Sequence, residues 1–178
     1  MSCSSSSLDT LPVEKTEYVL RPLAERDIPH IAALGNNRKI WLNMPDSFPF
    51  PYTEKDAAEW LQMPDQKINW AITLQDQFIG SIGIDPLGPN NAGVGQVGYW
   101  MGEPYWGQGI ATNALKVVTH HALTRMNYHR LEATVFGWNT ASFHMLEKVH
   151  YRLEGILKNR ITKDGTVLDE HLFARLSG

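Results

Sequence analysis

Two glycines stand two positions apart at the start of a predicted helix, in the segment Trp106-Gly107-Gln108-Gly109-Ile110-Ala111-Thr112. Glycine has no Cβ, so the backbone can turn tightly there, and the first N–H groups of a helix have no intrahelical acceptor. The helix dipole adds about half a positive charge at this end. The turn therefore suits an anion such as a diphosphate, without a nearby lysine. A purely structural turn is the other interpretation, and two glycines alone do not separate the two.

Two better-defined phosphate loops do not fit this segment. A Walker loop has lysine and then serine or threonine directly after its last glycine, where Ile110 and Ala111 stand. A dinucleotide-binding fingerprint needs a third glycine at Thr112 and a parallel strand before the loop, whereas the strands before this loop are predicted to be antiparallel. A module that binds some other nucleotide diphosphate on this turn stays open as an alternative.

A second motif, Asn139-Thr140-Ala141-Ser142, precedes the next predicted helix and is followed by Leu146-Glu147-Lys148-Val149-His150-Tyr151. Asn139 is a good helix N-cap, and Ser142 can belong to the same cap. The strand at residues 98–101, the glycine turn and this second motif, in this order, resemble the acetyl-CoA-binding region of the GNAT superfamily. The superfamily pattern Arg/Gln-x-x-Gly-x-Gly/Ala falls on Trp106, Gly109 and Ala111, and Trp106 stands where arginine or glutamine is usual.

Further segments extend the resemblance over roughly residues 17–176. Arg21-Pro22-Leu23, Gly155-Ile156-Leu157-Lys158 and Leu172-Phe173-Ala174 are similar to the branch that contains ribosomal-protein N-terminal acetyltransferases. The resemblance implies an α+β fold with a mostly antiparallel central sheet, flanking helices and a V-shaped cofactor cleft. It also implies an N-acetyltransferase that moves an acetyl group from acetyl-CoA to a primary amine by direct attack, with no covalent intermediate.

The same resemblance assigns the cofactor contacts. The diphosphate belongs on the backbone of the glycine turn, where Trp106 still offers its N–H, and the pantetheine arm lies against the main chain of Trp100 and Met101. The second motif reaches the pantetheine amide and the sulfur. The implied cofactor-binding residues are Trp100, Met101, Trp106, Gly107, Gln108, Gly109, Ile110, Ala111, Thr112, Asn139 and Ser142.

The catalytic groups are less clearly marked. Many family members protonate the departing thiolate with a tyrosine seven residues after the motif asparagine, where this chain has Leu146. Ser142 matches the serine that the ribosomal-protein branch is thought to use and is the predicted acid. Glu103 is the predicted base, with Glu132 as a second candidate, because the related branch's glutamate falls near Ile161. A noncatalytic acyl-CoA-binding module stays open as an alternative.

The cost of deprotonation bears on the acceptor. Neutralising a lysine amine with a pKa of about 10.4 at pH 7 costs about 4 to 5 kcal/mol, whereas an α-amine with a pKa of about 7.7 to 8 costs about 1 kcal/mol. A weak base therefore favours a protein N-terminal α-amine or a small amine of low pKa.

Periodicity, caps and breakers predict a mixed α/β order of elements. The first strand is expected at 18–20, followed by a helix at 27–34 and a second helix from Thr53 through Leu61, closed by Pro64. Later strands are expected at 70–74, 78–84, 96–101, 131–136, 153–161 and 168–176. Helices are expected at 109–126, with apolar residues every three or four positions, and at 141–149.

The whole chain fits one domain of 178 residues, with a disordered leader over residues 1–16 and the domain over 17–178. A net charge of −3 and the lack of a long apolar run argue against nucleic-acid and membrane partners and favour a soluble, cytoplasmic protein. Cys3, the only cysteine, lies in the serine-rich leader, and His120 and His121 do not have metal-ligand spacing, so no metal is expected. The sequence leaves a monomer and a homodimer equally open.

Overall fold

The computed structural model describes residues 8–13, 17–63 and 68–178. Within them, eight strands form a sheet with the order β1-β2-β3-β4-β5-β6-β8-β7. The strands are β1 (Leu11–Pro12), β2 (Tyr18–Pro22), β3 (Ile68–Leu74), β4 (Gln77–Pro86), β5 (Val94–Met101), β6 (Arg130–Phe136), β7 (Arg152–Lys163) and β8 (Thr166–Leu176). Every neighbouring pair is antiparallel except β5 and β6. The predicted α+β class with a mostly antiparallel sheet is confirmed.

The parallel pair separates soon after it begins. Residues Val94–Gln96 pair with residues 130–132, and beyond Gln96 the two strands share no further register, although β5 continues to Met101 and β6 to Phe136. At the last paired position the side-chain amide of Gln96 donates to the Thr134 hydroxyl at 2.9 Å. The result is a wedge-shaped gap through the middle of the sheet, which is the V-shaped cleft that the resemblance implied.

Helices cover both faces of the sheet. They are α1 (Ile28–Gly35), α2 (Arg38–Trp41), α3 (Glu54–Leu61), α4 (Ile110–Arg125) and α5 (Thr140–Lys148). The apolar stripe of α4 is buried as predicted, with Ala114, Leu115 and Val118 at most 1% exposed. Together with α5 it covers one face, while α1 and α3 pack with Phe78 and Trp100 on the other.

Local sequence explains where these helices begin. The helix α3 starts after Thr53, as predicted, and the structure adds a capping box between Thr53 and Asp56; Asn139 caps α5. The short helix α2, which periodicity did not predict, begins at Asn37, whose side chain accepts a hydrogen bond from the Lys39 N–H at 2.8 Å. Pro64, predicted to close α3, lies outside the described residues.

The start of the chain requires one correction. Leu11 and Val13 are 8% and 6% exposed, and β1 pairs with β2. The indole N–H of Trp70 donates to the Asp9 carbonyl at 2.9 Å. Residues 11–13 therefore do not fit a disordered leader, because two apolar side chains in an otherwise polar segment are enough to pack against the sheet edge. The wider division at residue 17 stays a prediction.

The last hairpin is longer than predicted. Strand β7 continues to Lys163, and strand β8 already begins at Thr166. The predicted turn at Asp164 and Gly165 joins them, and both of these residues have positive φ. Because β8 pairs with both β6 and β7, the hairpin places β7 at the sheet edge and β8 next to β6, one strand away from the cleft. In the described part of the chain, no helix is both long and apolar enough to cross a membrane. No cluster of three potential metal ligands occurs among those residues either.

Candidate active site

The glycine turn at the start of α4 leaves a row of free amides. Gly107 and Gly109 have φ values of 73° and 76°, a region that side chains other than glycine's adopt at a cost. The first helical bond runs from the Asn113 N–H to the Gly109 carbonyl, and the six N–H groups of residues 107–112 find no acceptor among the described residues. A Cβ at Gly107 or Gly109 would meet no atom within 4 Å. The turn thus presents unpaired donors to open space.

Trp106 plays a different part from the one expected. Its N–H donates to the Glu103 carbonyl at 3.1 Å, so it is not one of the free amides. Its indole N–H donates to the Met101 carbonyl at 2.7 Å and ties the turn to the end of β5. The expected Trp106 amide contact to phosphate is therefore corrected, because the short 3-10 helix Glu103–Tyr105 already uses that donor. Gln108 likewise bonds within the turn, to the Pro104 carbonyl at 3.0 Å.

The main chain of β5 divides its hydrogen bonds between its two neighbours. The Gly102 N–H donates to Ile79 at one end of the β4 pairing, and Val94 accepts from Leu87 at the other. Because main-chain groups alternate along a strand, the even-numbered residues of β5 face β4. Tyr99 and Met101 therefore direct their N–H and C=O groups into the gap beside β6. The Met101 part of the expectation agrees with this geometry.

Trp100 does not present its main chain to the gap. It pairs with Ser81 on β4, and its ring packs 5.5 Å from Phe78 and 5.9 Å from Phe48. The expectation that the main chain of Trp100 contacts the cofactor is therefore corrected, because its N–H and C=O groups face β4 and not the gap. The side chain instead forms part of the wall on the face covered by α1 and α3.

The second motif brings a hydroxyl pair to the gap. Asn139 accepts a hydrogen bond from the Ser142 N–H at 3.2 Å, which fixes the first turn of α5. The Ser142 hydroxyl lies 2.5 Å from the hydroxyl of Tyr99. Burial raises the pKa of Tyr99 well above its usual value, although the hydrogen bond with Ser142 lowers it in part. The phenol therefore keeps its proton. Sequence reasoning missed Tyr99, because the pairing needs β5 and α5 to meet.

A cavity of about 810 Å³ passes through the sheet at this gap. On the α5 side it is lined by Tyr99, Asn139 and Ser142, and on the opposite side by Trp100 and the segment from Asn43 to Tyr52. The β7–β8 hairpin forms part of its outer wall. There Lys163, 1% exposed, places its ammonium 2.9 Å from an Asp46 oxygen and 4.0 Å from the centre of the Trp41 ring.

The carboxylates predicted as bases do not line this cavity. Glu103 is held by the ammonium of Lys39 and by the side-chain amide of Asn37 at 2.6 Å. These two hydrogen bonds, Lys39 first, lower the pKa of Glu103 and make it a weaker base. Glu132 is paired with Arg130 at 2.6 Å. Glu170 on β8 does line the cavity and is one of the carboxylates there that sequence reasoning missed.

Three features together define the class of protein as an acyl-CoA-dependent acyltransferase. They are the sheet with one splayed parallel pair, the free amides at a helix start and the hydroxyl pair beside the gap. The model of the acetyltransferase (GNAT) domain matches residues 18–152. The chain belongs to the GNAT acetyltransferase family.

Two curated relatives align with this chain over different fractions of their length. An uncharacterised N-acetyltransferase, p20, of Bacillus licheniformis is 31% identical over 57% of this chain and 56% of its own length. The ribosomal-protein-serine acetyltransferase of Escherichia coli is 27% identical over 88% of this chain and 91% of its own. The expected similarity to the ribosomal-protein branch is thus present along most of the chain.

Solved structures share the fold. RimL, a ribosomal L7/L12 α-N-protein acetyltransferase in complex with coenzyme A, superposes with a TM-score of 0.84 at 23% identity, over 94% of this chain and 98% of its own. Mycobacterium smegmatis RimJ, in complex with a CoA disulfide, has a TM-score of 0.84 at 25% identity, over 96% and 88% of the two chains.

Proposed function

We propose that the protein is an N-acetyltransferase that uses acetyl-CoA to acetylate a primary amine, with a protein N-terminal α-amine as the preferred class. The row of six free amides at the start of α4 carries this proposal, because the turn is tied through Trp106 to the end of β5, the strand that forms one side of the gap. RimL and RimJ, which share the fold, were solved with coenzyme A or a CoA disulfide.

The chain offers a distinct group for each part of acetyl-CoA. The free amides of residues 107–112 suit the diphosphate, which they would hold through hydrogen bonds and the helix dipole. The cleft-facing N–H and C=O groups of Tyr99 and the N–H of Met101 suit the amides of the pantetheine arm, in the manner of an added strand; the Met101 C=O already accepts from the Trp106 indole. The bound thioester supplies an activated acetyl group. Ser142 would supply a proton to the departing thiolate, drawing on its short hydrogen bond with Tyr99.

The preference for an α-amine follows from the relatives and from proton energetics. The E. coli relative is named a ribosomal-protein-serine acetyltransferase, and RimL an α-N-protein acetyltransferase. An α-amine needs only about 1 kcal/mol to become neutral at pH 7, against about 4 to 5 kcal/mol for a lysine side chain. The partly open cavity can admit the end of a peptide, since an exposed segment and a hairpin form its outer wall.

The proposal is tested by mixing the protein with acetyl-CoA and a panel of N-terminal peptides and small amines. Release of free thiol is followed together with the mass of the acetylated product. We expect peptides with a free N-terminus to be acetylated, and the same peptides with a blocked N-terminus to be inert even where they carry lysine. Tight binding of acetyl-CoA without product from any amine would support a noncatalytic module instead.

The cofactor site is tested at Gly109 with a pair of variants that differ only in charge. Asparagine and aspartate both tolerate positive φ better than most residues, so Gly109→Asn and Gly109→Asp should carry similar strain. We expect the aspartate to weaken coenzyme A binding by about 10-fold or more relative to the asparagine, because a carboxylate would face the diphosphate. Calorimetric titration measures both affinities. Equal affinities for the two variants would contradict this placement of the diphosphate.

A further inference from the structure

Glu170 faces the side of the sheet from which an acceptor can enter. Phe143 of α5 stacks on His171 at 4.6 Å and contacts Phe173 at 5.5 Å, so these two residues of β8 face α5. Because side chains alternate along a strand, Glu170 points to the opposite face. Its register partner on β6 is Phe136, next to the gap.

The carboxylate of Glu170 lies in the cavity wall without a hydrogen-bonded partner among the described residues. Its side chain is 14% exposed and lines the same cavity as Ser142. The Arg160 guanidinium is 3.8 Å away, which is beyond hydrogen-bond distance. No described residue donates a hydrogen bond to the carboxylate of Glu170.

Other carboxylates in the cavity wall are engaged or more exposed. Asp46 accepts a hydrogen bond from Lys163, and Asp56 completes the capping box with Thr53. Glu59 lies 3.7 Å from Lys55 and is 64% exposed. Asp85 opposes Gln96, at the end of the gap where β5 and β6 are still paired, away from Ser142. Glu170 is thus the carboxylate best placed opposite the Tyr99–Ser142 pair.

We propose that Glu170 is the general base of the reaction, on the opposite side of the gap from Ser142. This inference rests on the proposed function. The acceptor ammonium gives one proton to Glu170, and the nitrogen lone pair then forms a bond to the thioester carbonyl carbon. Collapse of the adduct breaks the C–S bond. The second proton leaves nitrogen and reaches the thiolate through Ser142, and Glu170 releases its proton to water.

The base is tested with Glu170→Gln, which keeps the size of the side chain and removes its ability to accept the proton. With an N-terminal peptide as acceptor, we expect kcat/KM at pH 7 to fall by about 100-fold. The loss should shrink to less than about fivefold near pH 9.5, where an α-amine with a pKa of about 7.7 to 8 is already neutral. Glu170→Asp should keep the pH profile of the wild type with a lower kcat.

Glu132→Gln serves as the matched control, because Glu132 lies on neighbouring β6, pairs with Arg130 and does not line the cavity. We expect it to stay within about threefold of the wild type at every pH. Coenzyme A affinity should be unchanged in both glutamine variants, which shows that each is folded. Glu103→Gln is measured alongside, as the base that the sequence favoured.

The outcomes separate the base from the function itself. A loss in Glu170→Gln that is equal at pH 7 and pH 9.5 would overturn the assignment, as would activity within threefold of the wild type at pH 7. A pH-dependent loss in Glu103→Gln alone would move the base to that residue. A wild-type protein that turns over no amine would instead contradict the proposed function.

Discussion

At the scale of single residues, the hydroxyls of Tyr99 and Ser142 are held 2.5 Å apart in a partly buried setting, and either can donate. We expect Ser142→Ala to lower kcat about 10- to 100-fold, because the group proposed to pass a proton to sulfur is removed. Tyr99→Phe keeps the ring and should cost less. If the two hydroxyls act as one relay, the double variant should be no slower than Ser142→Ala.

Single-turnover rates and coenzyme A affinities measured for the three variants distinguish this relay from a packing role. Losses in rate that add up in the double variant would show that the hydroxyls act independently. A loss in coenzyme A affinity that matches the loss in rate would point to misplacement of the cofactor.

At the scale of elements, a buried ion pair joins β2 to the start of α1. Arg21 donates two hydrogen bonds to Asp27, at 2.7 and 2.8 Å, and the two side chains are 11% and 2% exposed. Arg21 also donates to Asp76 in the turn between β3 and β4 at 2.7 Å. Burial raises the pKa of Asp27, but the hydrogen bonds from Arg21 and the Ala24 N–H outweigh it, so the net pKa is lowered.

A carboxyl whose pKa is lowered on folding stabilises the protein above its unfolded pKa, and the stabilisation is lost as the pH falls through the folded pKa. We expect Asp27→Asn to lower the free energy of unfolding by about 2 to 4 kcal/mol at pH 7, since Arg21 keeps Asp76 as a partner. Below a pH of about 4 the difference should shrink. Urea unfolding across this pH range measures it, with the exposed neighbour variant Glu25→Gln expected within about 0.5 kcal/mol of the wild type. A difference that does not depend on pH would contradict an ion-pair origin.

At the scale of the whole molecule, the proposed cofactor site uses groups from distant parts of the chain. The amides of α4, the odd-numbered main-chain groups of β5 and the hydroxyl of α5 come together only in the folded protein. Coenzyme A at about 100 times its Kd should therefore stabilise the folded state by about 2.7 kcal/mol. For a chain of this size that is a rise in Tm of about 5 to 11 °C. Thermal scans with and without coenzyme A test this, and a much smaller rise for Gly109→Asp than for Gly109→Asn would assign the shift to the glycine turn.

Local sequence determined much of this protein. Several features depend only on residues a few positions apart, so they could be predicted from the sequence. They are the caps at Thr53 and Asn139, the apolar stripe of α4 and the turn at Asp164 and Gly165. The two glycines at 107 and 109 fixed the amide turn for the same reason. The resemblance to the GNAT family then supplied the cleft and the place of Ser142.

Tertiary structure decided the rest, because it depends on which distant segments become neighbours. The insertion of β8 between β6 and β7 brings Glu170 to the cavity, and no short-range pattern specifies that strand order. Three further contacts also depend on distant segments. The hydroxyls of Tyr99 and Ser142 form a hydrogen bond, Lys39 forms an ion pair with the carboxylate of Glu103, and Leu11 packs at the sheet edge. The alternation of β5 directs the main chain of Tyr99 and Met101, and not that of Trp100, towards the gap. The sequence therefore determined the amide turn at the start of α4, whose contacts are local, whereas the proposed base Glu170 and the pairing of Tyr99 with Ser142 depend on strand order and register.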